Sequence, residues 1–105
     1  MKYNIQDISA REVFNGFHGR FIHTDKSTLA FWEIDQDATI PTHAHFHEQV
    51  MQVLEGEFLL DVDGESHNLK PGDVLVIPPN APHGGRAITA CKVLDTFTPP
   101  REEYK

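Results

Sequence analysis

This chain has little of what many folds are held together by. A single cysteine, Cys91, among 105 residues leaves no disulfide framework, which suits a reducing compartment better than a secreted, covalently stapled fold. No apolar run approaches the ~18 residues of a membrane-spanning helix. The N-terminus, Met1-Lys2-Tyr3-Asn4-Ile5-Gln6-Asp7, lacks the apolar stretch of a signal peptide, so a cytoplasmic location is expected. Positive charge is scarce: Lys and Arg number 9 against 16 Asp and Glu, a net charge of −7, and no basic cluster is present. That balance argues against nucleic acid and anionic membrane surfaces as partners. It also works weakly against an acidic ligand, which a placed cation would have to attract locally. Finally, no stretch keeps a 3.6-residue apolar period long enough to predict a helix.

What the chain does have is short strands with Gly and Pro punctuation. Residues Phe17 to His23 and Thr28 to Asp35 are rich in aromatic and β-branched side chains, and Thr24-Asp25-Lys26-Ser27 between them reads as the turn of a hairpin. Gln49 to Glu55 and Glu57 to Asp63 follow, and Asp63-Gly64 returns the chain through Glu65 to Leu69. Pro71-Gly72-Asp73 turns it into Val74-Leu75-Val76-Ile77, apolar on both faces and therefore expected at the centre of a sheet. Even spacing of this kind predicts an all-β sandwich or barrel. Residues 1–105 are expected to form one domain with residues 1–16 as an arm or edge strand, and no repeats or linkers interrupt it. A domain of this size buries about 65% of its unfolded surface, a thin core that a homodimer would thicken.

Seven histidines are present, and their placement is uneven. His43-Ala44-His45 is followed by Gln49, and His83 arrives 38 residues after His45. In an extended strand residues i and i+2 share a face, so His43 and His45 can offer two imidazoles to one point. Imidazole is the commonest protein ligand for Zn, Fe, Ni and Cu. His18, His23 and His67 carry no such pattern and are read as surface or ordinary core histidines; His23 alone is placed where it can line a barrel mouth. His47 shares parity with His43, His45 and Gln49, more ligands than one small cation uses, so the strand register is expected to break near Phe46.

The wording around these residues resembles the two motifs of the cupin superfamily. The first is carried by His43, His45, Gln49 and Gly56 within residues 41–56, the second by Gly72, Pro78, Asn80 and His83 within residues 72–83. Gln49 stands where the family usually has Glu, Asn80 where it has Gly, Asp37 where a Gly often opens the first motif, and Ala87 where an Asn often closes the second. The resemblance implies a jelly-roll β-barrel holding one divalent transition metal ion, Ni, Zn, Fe, Mn or Co, on His43, His45, His83 and a fourth ligand. Gln49 keeps the motif's six-residue distance to Gly56 and is favoured for that place; a bulge would exchange it for Glu48.

At the other end, Asp95 and Phe97 share a strand face by the period of two, and Arg101 follows Pro99-Pro100. Composition alone reads this stretch as an edge strand with a solvated tail. Together with Gln49 and the His-x-His-x-His-Glu-Gln wording, however, Asp-x-Phe-Thr-Pro-x-Arg-Glu looks like the KdgF-type cupins, which linearise the unsaturated uronates released by pectin and alginate lyases. The likeness runs from His43 to Glu102. It implies an acidic sugar as substrate, Asp95 as general acid and base, Phe97 packed on the sugar and Arg101 clamping its carboxylate, with Arg86 as a second candidate clamp. Two other classes stay open at this level: a metal-dependent cupin dioxygenase or oxidase, and a non-catalytic binder of a small metabolite.

Overall fold

Alternation of buried and exposed side chains organises nearly the whole chain, which the computed structural model describes over residues 1–105. Ten strands follow one another: β1 (Arg11–Phe14), β2 (Phe17–His23), β3 (Thr28–Ile34), β4 (Thr39–His43), β5 (Glu48–Glu55), β6 (Phe58–Val62), β7 (Glu65–Leu69), β8 (Val74–Ile77), β9 (His83–Ala87) and β10 (Cys91–Thr98). The only helical elements are single 3₁₀ turns at Ile5–Asp7 and Glu102–Tyr104. No helix is long and apolar enough to cross a membrane. The strands form a six-stranded sheet in the order β1-β2-β3-β10-β5-β8 and a four-stranded sheet in the order β4-β9-β6-β7. All pairs are antiparallel. This is the jelly-roll barrel that the motif spacing implies.

The inward parity builds the core. Ala30, Trp32 and Ile34 of β3, Met51 and Val53 of β5, Phe58 and Leu60 of β6, and Val93 and Phe97 of β10 are each no more than 5% exposed. Aromatic rings dominate one end, where Trp32 meets Phe17 and Phe21 edge to face at 6.0 and 5.4 Å. Such pairs add about 0.5–1.5 kcal/mol beyond their buried area. The β2–β3 hairpin has the expected register, from Phe17 opposite Ile34 to His23 opposite Thr28. At the β6–β7 turn Asp63 and Gly64 both take positive φ, 50° and 81°, as a tight hairpin turn requires.

Two expectations are corrected. Strand β8 is an edge strand, hydrogen-bonded to β5 alone, and its outward valines, Val74 and Val76, are 58% and 55% exposed. Apolarity on both faces marked it for the sheet centre, but nothing in the chain covers its outer face. The pair His43-x-His45 is not a strand pair either: β4 ends at His43, and His45 lies in the connection to β5, which begins at Glu48. The register therefore breaks across residues 44–47, as the excess of inward histidines demands.

The departures at Asp37 and Asn80 have a backbone explanation. Both residues sit at φ 67°, a left-handed conformation that Gly takes freely and that Asp and Asn tolerate better than other side chains. Gly56, by contrast, has no substitute: at φ 84° an added Cβ would collide with the carbonyl oxygen of Ala90.

Candidate functional site

Pairing of β4 with β9 sets His43 directly opposite His83, and the short connection after β4 swings His45 over both. The ring centroids of His83 lie 4.3 Å from His43 and 4.9 Å from His45. One nitrogen from each of the three falls within 4.8 Å of the others, a cluster able to hold a metal ion. The other nitrogen of each ring is already engaged. Nδ1 of His43 donates to Pro41 O at 3.0 Å, Nδ1 of His45 to His47 O at 3.2 Å, and Nδ1 of His83 to Ala81 O at 2.9 Å. Backbone acceptors of this kind fix the tautomer and leave Nε2 as a bare lone pair, the usual arrangement behind a metal-binding imidazole.

Two observations test whether a cation fits among these lone pairs. Nε2 of His83 is buried without a hydrogen-bond partner. Nε2 of His45 faces the side-chain Oε1 of Gln49 at 3.2 Å while its Nδ1 faces a carbonyl oxygen. A neutral imidazole has one N–H, so the Nε2 contact is satisfied by a cation beside it, by protonation of the ring, or by the Gln49 amide turned over to present its N–H₂. Protonation is opposed: burial, then Arg101, then His83 bring the His45 pKa down to about 4. Burial likewise lowers His83. Neutral imidazoles with unshared Nε2 lone pairs beside an amide oxygen fit a divalent ion.

Gln49 and Glu48 separate by strand parity. Gln49 is 7% exposed and faces the histidines, while Glu48 is exposed on the outer surface. His47, the other rival, is buried and turned aside, its Nε2 donating to Pro100 O at 3.2 Å.

Strand β10 runs between β3 and β5 and brings the C-terminal residues to the same pocket. Phe97 is opposite Gln49 in the register, and Asp95 is opposite Met51. His43, Gln49, His83, Asp95, Phe97 and Arg101 line one cavity at the barrel mouth. Asp95 is 7% exposed; its Oδ2 accepts from the Trp32 indole N–H at 3.0 Å, and Oδ1 has no well-formed hydrogen bond. Burial pushes its pKa up to about 6, against the lowering by Gln49, Trp32 and the Arg101 charge. Phe97 meets the His45 ring at a steep angle, 72°, with centroids 5.8 Å apart. The Arg101 guanidinium lies over the rings of Phe97, at 4.8 Å, and Tyr104, at 4.6 Å.

Arg86 does not join them. An odd offset from His83 puts it on the outer face of β9, where it is exposed and paired with Asp37 at 3.2 Å. Conversely, three side chains that the sequence did not single out, Trp32, Thr28 and Arg11, support the site together with His23. Trp32 carries the hydrogen bond to Asp95. Thr28 Oγ1 accepts from the Arg101 backbone N–H at 2.9 Å and meets His23 Nδ1 at 2.9 Å. His23 Nε2 and Arg11 Nη2 both reach Tyr104 O, at 3.2 and 2.9 Å. Tyr104 and its neighbours thus fold back over the barrel end. The inward parity of Thr28 and Trp32 was readable; their long-range partners were not.

The structure is a jelly-roll barrel with a three-histidine cluster able to hold a metal ion and a buried carboxyl group at its mouth. The cupin domain family matches residues 30–97, and the chain belongs to it. Among curated proteins it is 36% identical over 64 residues to the pectin degradation protein KdgF of Dickeya dadantii. That match covers 59% of this chain and 58% of the relative's length. Among solved structures, an RmlC-like cupin from Shewanella frigidimarina superposes with a TM-score of 0.93 at 30% identity, covering 98% of this chain and 94% of that one. KdgF from Halomonas sp. superposes with a TM-score of 0.94 at 27% identity, covering 100% and 98%.

Proposed function

We propose that this protein is a metal-dependent isomerase that opens and ketonises 4,5-unsaturated monouronates from pectin or alginate breakdown. The observation that carries the reading is the meeting, at one mouth, of the histidine cluster and Gln49 with a buried Asp95 poised near pH 6 and an arginine packed against two aromatic rings. Its likeness to two proteins called KdgF, one of them named for pectin degradation, supports the substrate class.

In this reading His43, His45, Gln49 and His83 hold the metal. Because all four are neutral, a bound divalent ion supplies its full charge as a Lewis acid for oxygen atoms of the substrate. Arg101 binds the C6 carboxylate through a charge-assisted contact. Phe97 packs on the sugar and keeps water from it. Asp95 takes the proton of the C1 hydroxyl; C1 becomes an aldehyde as the C1–O5 bond breaks and its electron pair moves to O5. The resulting enolate carries its double bond between C4 and C5, and Asp95 returns the proton to C4 as C5 becomes a ketone. A carboxyl group with a pKa of about 6 is mostly ionised at neutral pH, so the base is present and its conjugate acid is still a usable donor. A homodimer is part of the same reading, with the uncovered valines of β8 at its seam, and sedimentation checks it.

The test is to add the purified, zinc-loaded protein to a fresh pectin or alginate lyase digest and follow loss of the unsaturated-uronate absorbance near the ultraviolet edge. Loss faster than the spontaneous rate is expected. Loss at the spontaneous rate refutes the reading, and oxygen uptake with an iron-loaded sample turns it toward the oxidase class.

A further inference from the structure

Arg101 is an unusual cation for a surface end of a barrel. Its side chain is only 8% exposed, its guanidinium is faced by the Phe97 and Tyr104 rings, and its backbone is tied to Thr28. A buried guanidinium left without an anion is costly, so something must neutralise it while the cavity holds no ligand. The partner is Glu103, two residues on: Nε donates to Oε1 at 3.2 Å and Nη2 to Oε2 at 3.0 Å, a two-pronged contact along one edge of the fork. Those hydrogen bonds hold the Glu103 carboxyl below the usual carboxylate range.

Beyond its own backbone amide, no other residue holds Glu103. Its side chain is 58% exposed and makes no second ion pair, and it sits on a single 3₁₀ turn. It also lines the same opening as His43, His45 and Arg101. The carboxylate therefore occupies the mouth at the point where an acid must arrive to meet both Arg101 and the histidines.

We propose that Glu103 is the resident counter-ion of Arg101 and competes with an acidic ligand for it, so that this residue sets how tightly the site takes a carboxylate. The inference rests on the proposed acidic-sugar function. Binding of a carboxylate to Arg101 releases Glu103 to solvent, where its exposure makes the move cheap. Because the Glu103 end of the pair stays in water, the competition is expected to be about the size of a surface ion pair, roughly 1.5- to 5-fold in an equilibrium.

The experiment measures binding of D-galacturonate, which carries the carboxylate but lacks the C4–C5 double bond, by calorimetry. It compares the wild type with Glu103→Gln and Glu102→Gln at matched metal content. Glu102 loses the same charge but pairs with Lys105, at 3.1 Å, and not with Arg101. Glu103→Gln should bind D-galacturonate about two- to five-fold more tightly, Glu102→Gln should match the wild type, and neutral D-galactose should not distinguish the three. Weaker binding by Glu103→Gln would mean that the carboxylate aims Arg101 and would overturn the proposal. An equal gain in both variants, no change in either, or no binding by any of the three would overturn it as well. Turnover is read separately: a wild type that binds D-galacturonate and turns over no unsaturated uronate refutes the proposed reaction and leaves the counter-ion assignment standing.

Discussion

Replacing Asp95 by Asn should cripple turnover and make the protein more stable. The two effects have one cause. Asp95 is buried, and burial lifts its pKa from 3.8 to about 6. Between those values the folded chain holds a proton that the unfolded chain has lost, so wild-type stability falls as pH rises from about 4 to about 6. The 2.2-unit difference, 6 minus 3.8, corresponds at about 1.36 kcal/mol per unit to roughly 3 kcal/mol. Asn cannot ionise, keeps an oxygen for the Trp32 indole N–H, and escapes this loss. Denaturant titrations of chelator-treated protein should therefore find Asp95→Asn and wild type equal near pH 4 and the variant up to about 3 kcal/mol more stable above pH 6. Removing metal beforehand matters, because bound ligand would add its own linkage to the native state. On the same samples, reloaded, kcat for unsaturated uronate should fall by about 10²–10⁴. A variant no more stable than the wild type at pH 7 would show that the carboxylate is not held against its ionisation. Wild-type turnover would remove Asp95 from the mechanism.

The remaining predictions concern its neighbours. Trp32→Phe deletes the hydrogen bond to Asp95 Oδ2, so the acid limb of the kcat/KM profile should move upward by about one pH unit while the rate at high pH is largely kept; an unmoved limb would refute the contact's role. His45→Ala should lose most bound metal by elemental analysis, and full occupancy there, in His43→Ala and in His83→Ala would end the metal-site assignment. Gln49→Glu should keep the metal while lowering the site's charge and slowing the uronate reaction, whereas Glu48→Ala, on the outer surface, should change neither. Arg101→Ala should raise KM by about tenfold or more with a smaller effect on kcat, because the carboxylate is bound in ground and transition states alike.

How much of this was legible in the sequence depends on whether a residue's role is local or set by what packs against it. The His43-x-His45 spacing and the 38-residue interval to His83 located the cluster even though the local geometry differs: one histidine ends a strand and the other follows in a loop. Asp95 and Phe97 were readable because strand parity is inherited by every second residue. The same rule, applied to Arg86, would have placed it outside. Strand β8 misled because hydrophobicity records what a segment tolerates and not what covers it, and apolar atoms make up more than half of an ordinary protein surface. Glu103 and Tyr104 left no signal at all, since they follow Pro99-Pro100 in a single 3₁₀ turn where no period applies, and their partners are Arg101 and residues of β1, β2, β3 and β10. The departures from the motif then divide along the same line. Asp37 and Asn80 replace glycines whose only demand is a left-handed backbone, which short polar side chains meet at modest cost, so the barrel closes unchanged. Gln49 replaces a carboxylate whose demand is charge, and an amide leaves that demand unmet; of the four substitutions it is the one that alters what the cavity can do.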